Sequence, residues 1–321
     1  MTIKHDFSEH PGFRRTFQKG HLTLGIFFPI EAFSGDLPKM QNQLELARVA
    51  DEAGYAALWT RDVPVRDPHF GDVGQIYDTW VFTAYVAAVT RRIAVGTGSV
   101  ILPLRAAVDL AKASASVDVL SGGRFLFGVA SGDRPVEFPL YGYEHAKRGE
   151  DFRTRLTEIR GLYRDAGPIE GIRTSLGTPI EFLPKPTVAP SVPILITGFS
   201  QQNLDWLAQN ADGWMTYPRD PPAQKKIVNQ WNEAVTITGE SRYKPVMQSL
   251  YLDLTSDPDA VATPIHLGYR VGRNRLKELL ALLRLAGIAH VAFNLKYGSR
   301  PAAEVVEEIA EHVLPHFPSH E

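Results

Sequence analysis

The sequence contains no cysteine among its 321 residues. That absence excludes disulfides, thiolate nucleophiles, iron–sulfur clusters and Cys-based zinc sites together. Long hydrophobic runs are missing too. Nothing approaches the roughly 18 consecutive apolar residues of a membrane-spanning helix, and the opening MTIKHDFSEHPGFRRTFQKG has no apolar stretch of the kind a secretion signal needs. The expectation is a cytoplasmic protein with no membrane partner. Charge of one sign is also lacking: 34 Lys and Arg stand against 36 Asp and Glu, for a formal net charge of -2 and a pI near 6.6. No basic field is therefore expected to hold nucleic acid. The ten histidines form no HExxH motif, so no metal site is expected. A G-x-S-x-G elbow, a Walker-type phosphate loop and a Rossmann fingerprint are all absent, and Gly96-Thr97-Gly98 is too short to count as one.

What is present is a regular alternation of two hydrophobic periods. Apolar runs that read as strands occur at 21–29, 55–60, 92–102, 124–132, 192–198, 212–218, 246–254 and 290–297. Segments with helical spacing follow them at 37–54, 78–90, 106–122, 150–166, 200–211, 221–239, 272–287 and 301–315. Asp78 suits an N-cap, Gly54 and Gly122 suit helix ends, and Pro301 suits a first turn. Strands that are apolar throughout belong to parallel sheets buried on both faces. An open doubly wound sheet also gives this alternation, but eight strand–helix repeats with a final helix after the eighth strand favour a (β/α)8 TIM barrel formed by one domain over residues 1–321. Residues 1–20, polar and without clear periodicity, are expected to lie on that barrel as an arm. Two connections exceed the usual length, 133–149 after the fourth strand and 255–271 after the seventh. Both fall at the C-terminal face, where barrel sites are built.

Three blocks carry a resemblance: ALWTRD at the second strand, RRIAVGTGSVILPLRAAVDLAKASASVDVLSGGRFLFGVASGD across the third and fourth, and VPILITGFSQQNLDWLAQNADGWMTYP across the fifth and sixth. Together, over roughly residues 21–315, the chain resembles the bacterial-luciferase-like flavin monooxygenases. The resemblance implies a barrel that binds reduced FMN, or the deazaflavin F420, at its C-terminal mouth. It implies a small organic substrate and O2 as reaction partners, with a separate flavin reductase in some systems, and a homodimer built on early helices.

The resemblance also implies a set of site residues. In the family, the turn Gly198-Phe199-Ser200-Gln201 holds the cofactor phosphate. Glycine there permits close backbone approach, and free amides at a helix start favour an anion. An ordinary strand–helix turn with Ser200 as N-cap is the alternative. Barrels more often bind phosphate after strands seven and eight, so this placement is a discriminating one. Thr97 and Ser131, at the ends of the third and fourth strands, would hydrogen-bond a flat ring, or else only fit the tapered interior; Ser99 is read as interior alone. Asp62 would meet ring nitrogens or a cation, with Arg61 as its alternative partner. Arg148 would reach phosphate or substrate, or pair with Glu144 or Glu150, and Arg105 is a weaker candidate of the same kind. Tyr217 would cover the ring edge, while Trp214 is expected in the core. Arg270, Arg273 and Arg275 would line an exit for the longer F420 tail, or form a solvated helix start.

The chain departs from bacterial luciferases in two places. No His follows Asp62, where Val63 and Pro64 stand, and the reactive Cys is missing; His69 reads as a loop residue. Light emission is not expected, and no residue is assigned as general acid or base. A non-catalytic flavin-binding protein on the same fold is the remaining alternative.

Overall fold

The computed structural model of the chain describes residues 7–164, 180–240 and 242–320. Eight strands form a closed ring in which every neighbouring pair is parallel: β1 (Thr23–Phe27), β2 (Ala57–Thr60), β3 (Ala94–Thr97), β5 (Phe125–Ala130), β6 (Ile194–Thr197), β7 (Gly213–Thr216), β8 (Val246–Leu254) and β11 (Ile288–Asn294), with β11 pairing both β8 and β1. The short β4 (Val100–Ile101) extends the third position, pairing with β5 beyond Gly98–Ser99, whose peptide bond is cis. The expected third strand, 92–102, is therefore two pieces.

Helices on the outside connect the strands: α2 (Gln43–Ala53), α3 (Thr79–Val89), α4 (Ala107–Leu120), α5 (Arg148–Arg164), α6 (Leu204–Asn210), α7 (Pro221–Ile237), α8 (Arg273–Leu285) and α9 (Ala302–His312). None of the described helices is long and apolar enough to cross a membrane. Asp78 caps α3 as expected, accepting from the amides of Trp80 and Val81. The helix expected over 37–54 starts only at Gln43. The Glu31 carboxylate accepts from the amides of Lys39 and Met40, and Met40 and Asn42 take left-handed φ values of 58° and 55°, which keeps this stretch out of the helix. Residues 165–166, expected to end the fourth helical segment, 150–166, lie outside the described residues.

Alternation along the strands separates two cores. Leu24, Ile26, Leu58, Val95, Phe125, Phe127 and Ile196 pack between barrel and helices. Ala57, Trp59, Ala94, Leu126, Leu195, Met215 and Met247 face inward. Space inside is short: a Cβ on Gly128 would stand 1.8 Å from the Thr97 carbonyl oxygen, and one on Gly96 would stand 2.5 Å from the Trp59 ring. One buried histidine is satisfied here. Trp59 Nε1 donates to His290 Nε2 at 3.0 Å, and Thr23 Oγ1 donates to the Thr16 carbonyl, leaving His290 Nδ1–H to donate to that hydroxyl. Burial drops His290 to about 3, so it is neutral.

The N-terminal segment does more than lie on the barrel. Its helix α1 (Pro11–Thr16) and flanking residues put Phe7, Phe13 and Phe17 into the inner core, closing the N-terminal end. The Gly12 amide donates to the Gly123 carbonyl just before β5, and His10, fully buried, meets Asp118 at 3.0 Å. The opposite end stays open. There the 133–149 segment folds as two short 3-10 turns, Pro135–Tyr141 and His145–Lys147, anchored by buried Phe138. The 255–271 segment adds a hairpin, β9 (Thr263–Ile265) and β10 (Gly268–Val271), to the edge of β8. A third long connection, 61–78 between β2 and α3, also stands over this face.

Candidate active site

The carboxyl ends of the barrel strands surround a cavity of about 740 Å³, within the span of about 300–1,000 Å³ usual for small-molecule sites. Phe27, Met215 and Met247 line it from the inner core, and Ser99, Ser131, Thr197 and Ser249 bring hydroxyls to it. Of the residues expected at a cofactor site, Asp62, Ser131, Arg148, Gly198, Phe199, Ser200, Gln201 and Tyr217 all line this one cavity. Thr97 does not. It is fully buried, and its hydroxyl donates to the Gly128 carbonyl at 2.7 Å, tying β3 to β5. The hydroxyls at the cavity come instead from Ser99, read as interior alone, and from Thr197, which hydrogen-bond each other.

The turn after β6 departs from the capping alternative. Ser200 is not the cap of α6: Asn203 is, its side chain accepting from the Trp206 amide at 2.8 Å. Gly198, Ser200 and Gln201 instead adopt left-handed φ values of 55°, 46° and 62°. Ser200 holds the turn by donating to the Thr197 carbonyl at 2.9 Å, and Gln202 braces it by donating to the Gly149 carbonyl at 2.8 Å in the first turn of α5. The amides of Phe199, Ser200 and Gln201 donate to none of the described residues. Consecutive amides in such a turn form a concave cradle that suits an anion. Arg148, at the start of α5, lines the same cavity. Its Nη1 donates to the His145 carbonyl, its Nε is buried without a partner, and neither Glu144 nor Glu150 pairs with it. Backbone amides and an unmatched guanidinium thus converge where the resemblance places a phosphate.

Other expectations resolve differently. Asp62 lines the cavity, but Arg105 takes both its oxygens, at 2.5 and 2.8 Å, and the Ile101 amide donates to Oδ2 at 3.0 Å. Asp62 is thereby a clamp between β2 and the segment after β4, and Arg105, a weak candidate for ligand binding, is its partner. Arg61 pairs instead with Asp72 at 2.6 Å, and Tyr251 donates to the other Asp72 oxygen at 3.0 Å. Although burial opposes it, the neighbouring Arg61 holds the Asp72 carboxyl below the ordinary aspartate value. Trp214 is core, stacked on Trp231 at 5.3 Å, with its Nε1 donating to the Gly198 carbonyl. Tyr217 is 49% exposed and its hydroxyl bonds no described residue. Tyr141 and Tyr143 lie off the cavity, within 6 Å of the guanidinium groups of Arg105 (5.8 Å) and Arg155 (5.9 Å) respectively. His69 is exposed and pairs with Asp67. The arginines expected to greet a long anionic tail are spent: Arg270 pairs with Asp253, Arg273 with Glu308 and Arg275 with Glu278. No group of metal-binding side chains occurs among the described residues.

Sequence reasoning missed one wall of the cavity. Phe70, Gly71 and Asp72 from the 61–78 connection line it together with Tyr251, His266 and Tyr297, Tyr251 reaching the Asp72 carboxylate. Their signal was a long loop at the C-terminal face, but aromatic residues in loops carry no marker of what they meet. Glu137 lies off the cavity. It is 1% exposed, its Oε1 has no partner, and burial pushes its carboxyl up to about 7 against the pull of Arg134.

Known proteins place this architecture. A family profile described as luciferase-like monooxygenase matches residues 22–297. An uncharacterized protein of Mycobacterium tuberculosis (strain ATCC 25618 / H37Rv) is 32% identical over 239 residues, covering 69% of this chain and 82% of its own length. Among solved structures, an F420-dependent secondary alcohol dehydrogenase, in complex with an F420-acetone adduct, superposes with a TM-score of 0.74 at 16% identity, over 93% of this chain and 100% of its own. The oxygenating constituent of 3,6-diketocamphane monooxygenase of Pseudomonas putida, a type II Baeyer-Villiger monooxygenase in complex with FMN, superposes with a TM-score of 0.71 at 15% identity, over 92% and 98% of the two chains. With the profile spanning most of the chain and the closed parallel barrel beneath it, this protein belongs to the luciferase-like monooxygenase family.

Proposed function

We propose that the protein is a flavin-dependent monooxygenase that uses reduced FMN and O2 on a small organic substrate. The observation that carries this reading is the convergence of the 198–201 amides and Arg148 at one side of a hydroxyl-lined cavity. That donor set fits a phosphate monoester, and the cavity beside it is large enough for a flat ring. When bound, reduced FMN would supply the electrons that activate O2. The chain's own part is to hold and shield. The amides of Phe199, Ser200 and Gln201 with Arg148 would bind the phosphate, Ser131 and Ser99 would hydrogen-bond the ring, and Tyr217 would cover its edge. The 61–78, 133–149 and 255–271 connections would exclude water from the mouth, where hydrogen bonds gain strength as solvent leaves. No His follows Asp62 and the chain has no Cys, unlike the luciferase pattern, which supports oxidation without light emission.

FMN is favoured over F420 because Arg270, Arg273 and Arg275 are each matched by a carboxylate, leaving no basic exit there for a longer anionic tail. Anaerobic titration of the purified protein with reduced FMN and with reduced F420, followed by cofactor fluorescence or absorbance, tests the reading. Tighter binding of FMN is expected, with substrate-dependent O2 uptake once a substrate panel is supplied. Tighter binding of F420, or binding of neither, would overturn it.

A further inference from the structure

At the mouth, away from the proposed phosphate turn, a buried cation lacks a counter-charge. Arg134, just after β5, is 8% exposed and lines the cavity. Its Nη2 donates to the Asp72 carbonyl at 2.7 Å, and its Nη1 has no hydrogen-bond partner. Among the described residues no carboxylate closes an ion pair with it, although Glu137, Asp133 and Asp72 are near enough to be felt. Of the charged groups beside it, Arg61 is matched by Asp72 and Asp62 by Arg105, while Asp133, its neighbour in the chain, is exposed at the cavity and forms no ion pair among the described residues. A guanidinium withdrawn from water without a paired anion is costly, and a bound anion removes much of that cost.

The surroundings of Arg134 narrow the chemistry. Phe70 lies over its guanidinium at 4.2 Å and is itself partly exposed, so a small displacement of that ring opens the charge to the cavity. Asp72, whose carbonyl Arg134 engages, accepts from the Tyr251 hydroxyl through its side chain. Tyr251 in turn stands 4.9 Å from Tyr297 and 5.9 Å from His266, ring centre to ring centre. A planar cation donor and three rings therefore share one wall of the mouth. We infer that the molecule oxidised is an organic anion with an aromatic body, its charged group seated on Arg134 and its ring against Tyr251, His266 and Tyr297. The inference rests on the oxidoreductase reading only in taking this anion as the second substrate; the anion site itself is a property of the protein without cofactor.

Calorimetric titration of cofactor-free protein with 2-naphthoate, and with 2-naphthamide as its neutral counterpart, tests the site. Charged hydrogen bonds of this kind predict a preference for the carboxylate of about ten- to a hundredfold. Arg134→Gln should abolish that preference and Arg134→Lys should keep part of it, while affinity for reduced FMN stays within about twofold of the parent. Equal binding of acid and amide by the parent protein would overturn the inference, and that measurement needs no variant to fold. So would an undiminished preference in Arg134→Gln, or a loss of FMN affinity in step with it, which would assign Arg134 to the cofactor. Failure of FMN and F420 to bind, with the naphthoate preference intact, would instead strike the cofactor reading and leave the anion site standing.

Discussion

Ser200 carries the most exacting test at the scale of single residues. It is largely buried, it holds the left-handed turn through the Thr197 carbonyl, and its amide stands free beside that of Gln201. A carboxylate here would face the cofactor phosphate at a few ångströms, where like charges repel by about 1–4 kcal/mol at partly exposed sites. Ser200→Asp is expected to weaken FMN at least about tenfold in a fluorescence titration, with the fold kept by circular dichroism; unchanged affinity would remove the turn from the site. Glu137 makes a prediction in pH. Its folded value, about 7, is raised above the ordinary 4.5, so the buried acid prefers its proton. That contribution to stability is complete below about 4.5 and is lost as pH rises through about 7. Glu137→Gln removes the titration. The variant should equal the parent in calorimetric stability near pH 4.5 and exceed it near pH 8 by about 2–4 kcal/mol, given about 1.4 kcal/mol per pKa unit. A constant difference across that range would contradict the account.

At the same scale, some of the site was legible and some was not. The Gly198–Gln201 turn, Ser131, Arg148 and Tyr217 could be read because strand ends in a barrel share one face, and the family's blocks fix which strand end is which. Thr97 was misjudged because its position within the third strand depends on the break at Gly98–Ser99, which hydrophobic runs do not mark. Ion-pair partners were least legible. Asp62 meets Arg105 across 43 positions rather than the adjacent Arg61, and only the folded chain brings them together. Arg134 fell in a stretch that sequence reading marked merely as a long connection.

At the scale of elements, the lesson lies in helix starts and in the N-terminal segment. Hydrophobic spacing found each helix beyond the N-terminal segment but set α2 and α6 too early, since Glu31 holds the Lys39 and Met40 amides and left-handed residues, Met40 and Asn42 before α2 and Gly198, Ser200 and Gln201 before α6, do not continue a helix. The first twenty residues looked polar because Phe7, Phe13 and Phe17 are spread among charged neighbours. Their aromatic rings nevertheless pack against one another, at 5.6 and 5.1 Å, beneath the barrel. Truncating a buried Phe costs about 3–5 kcal/mol. Phe13→Ala should lose stability of that order in urea unfolding while folded molecules bind FMN as the parent does, because the plug and the mouth are at opposite ends. A variant as stable as the parent would show that the plug contributes little.

For the whole molecule, the ring of eight strands was the most legible feature, because strands buried on both faces read as apolar runs and recur with helices between them. That ring sends every strand's carboxyl end to one mouth, so residues 61–72, 131–148, 197–217 and 251–297 meet there although the chain separates them widely. The central claim is that this mouth cradles reduced FMN with its phosphate on the turn after β6. A crystal structure of the protein with FMN tests it most directly. The account predicts phosphate oxygens within hydrogen-bond distance of the Ser200 and Gln201 amides and of Arg148, with the ring over Ser99, Ser131 and Met215. A phosphate lodged after β8 or β11, or FMN bound outside the mouth, would contradict it.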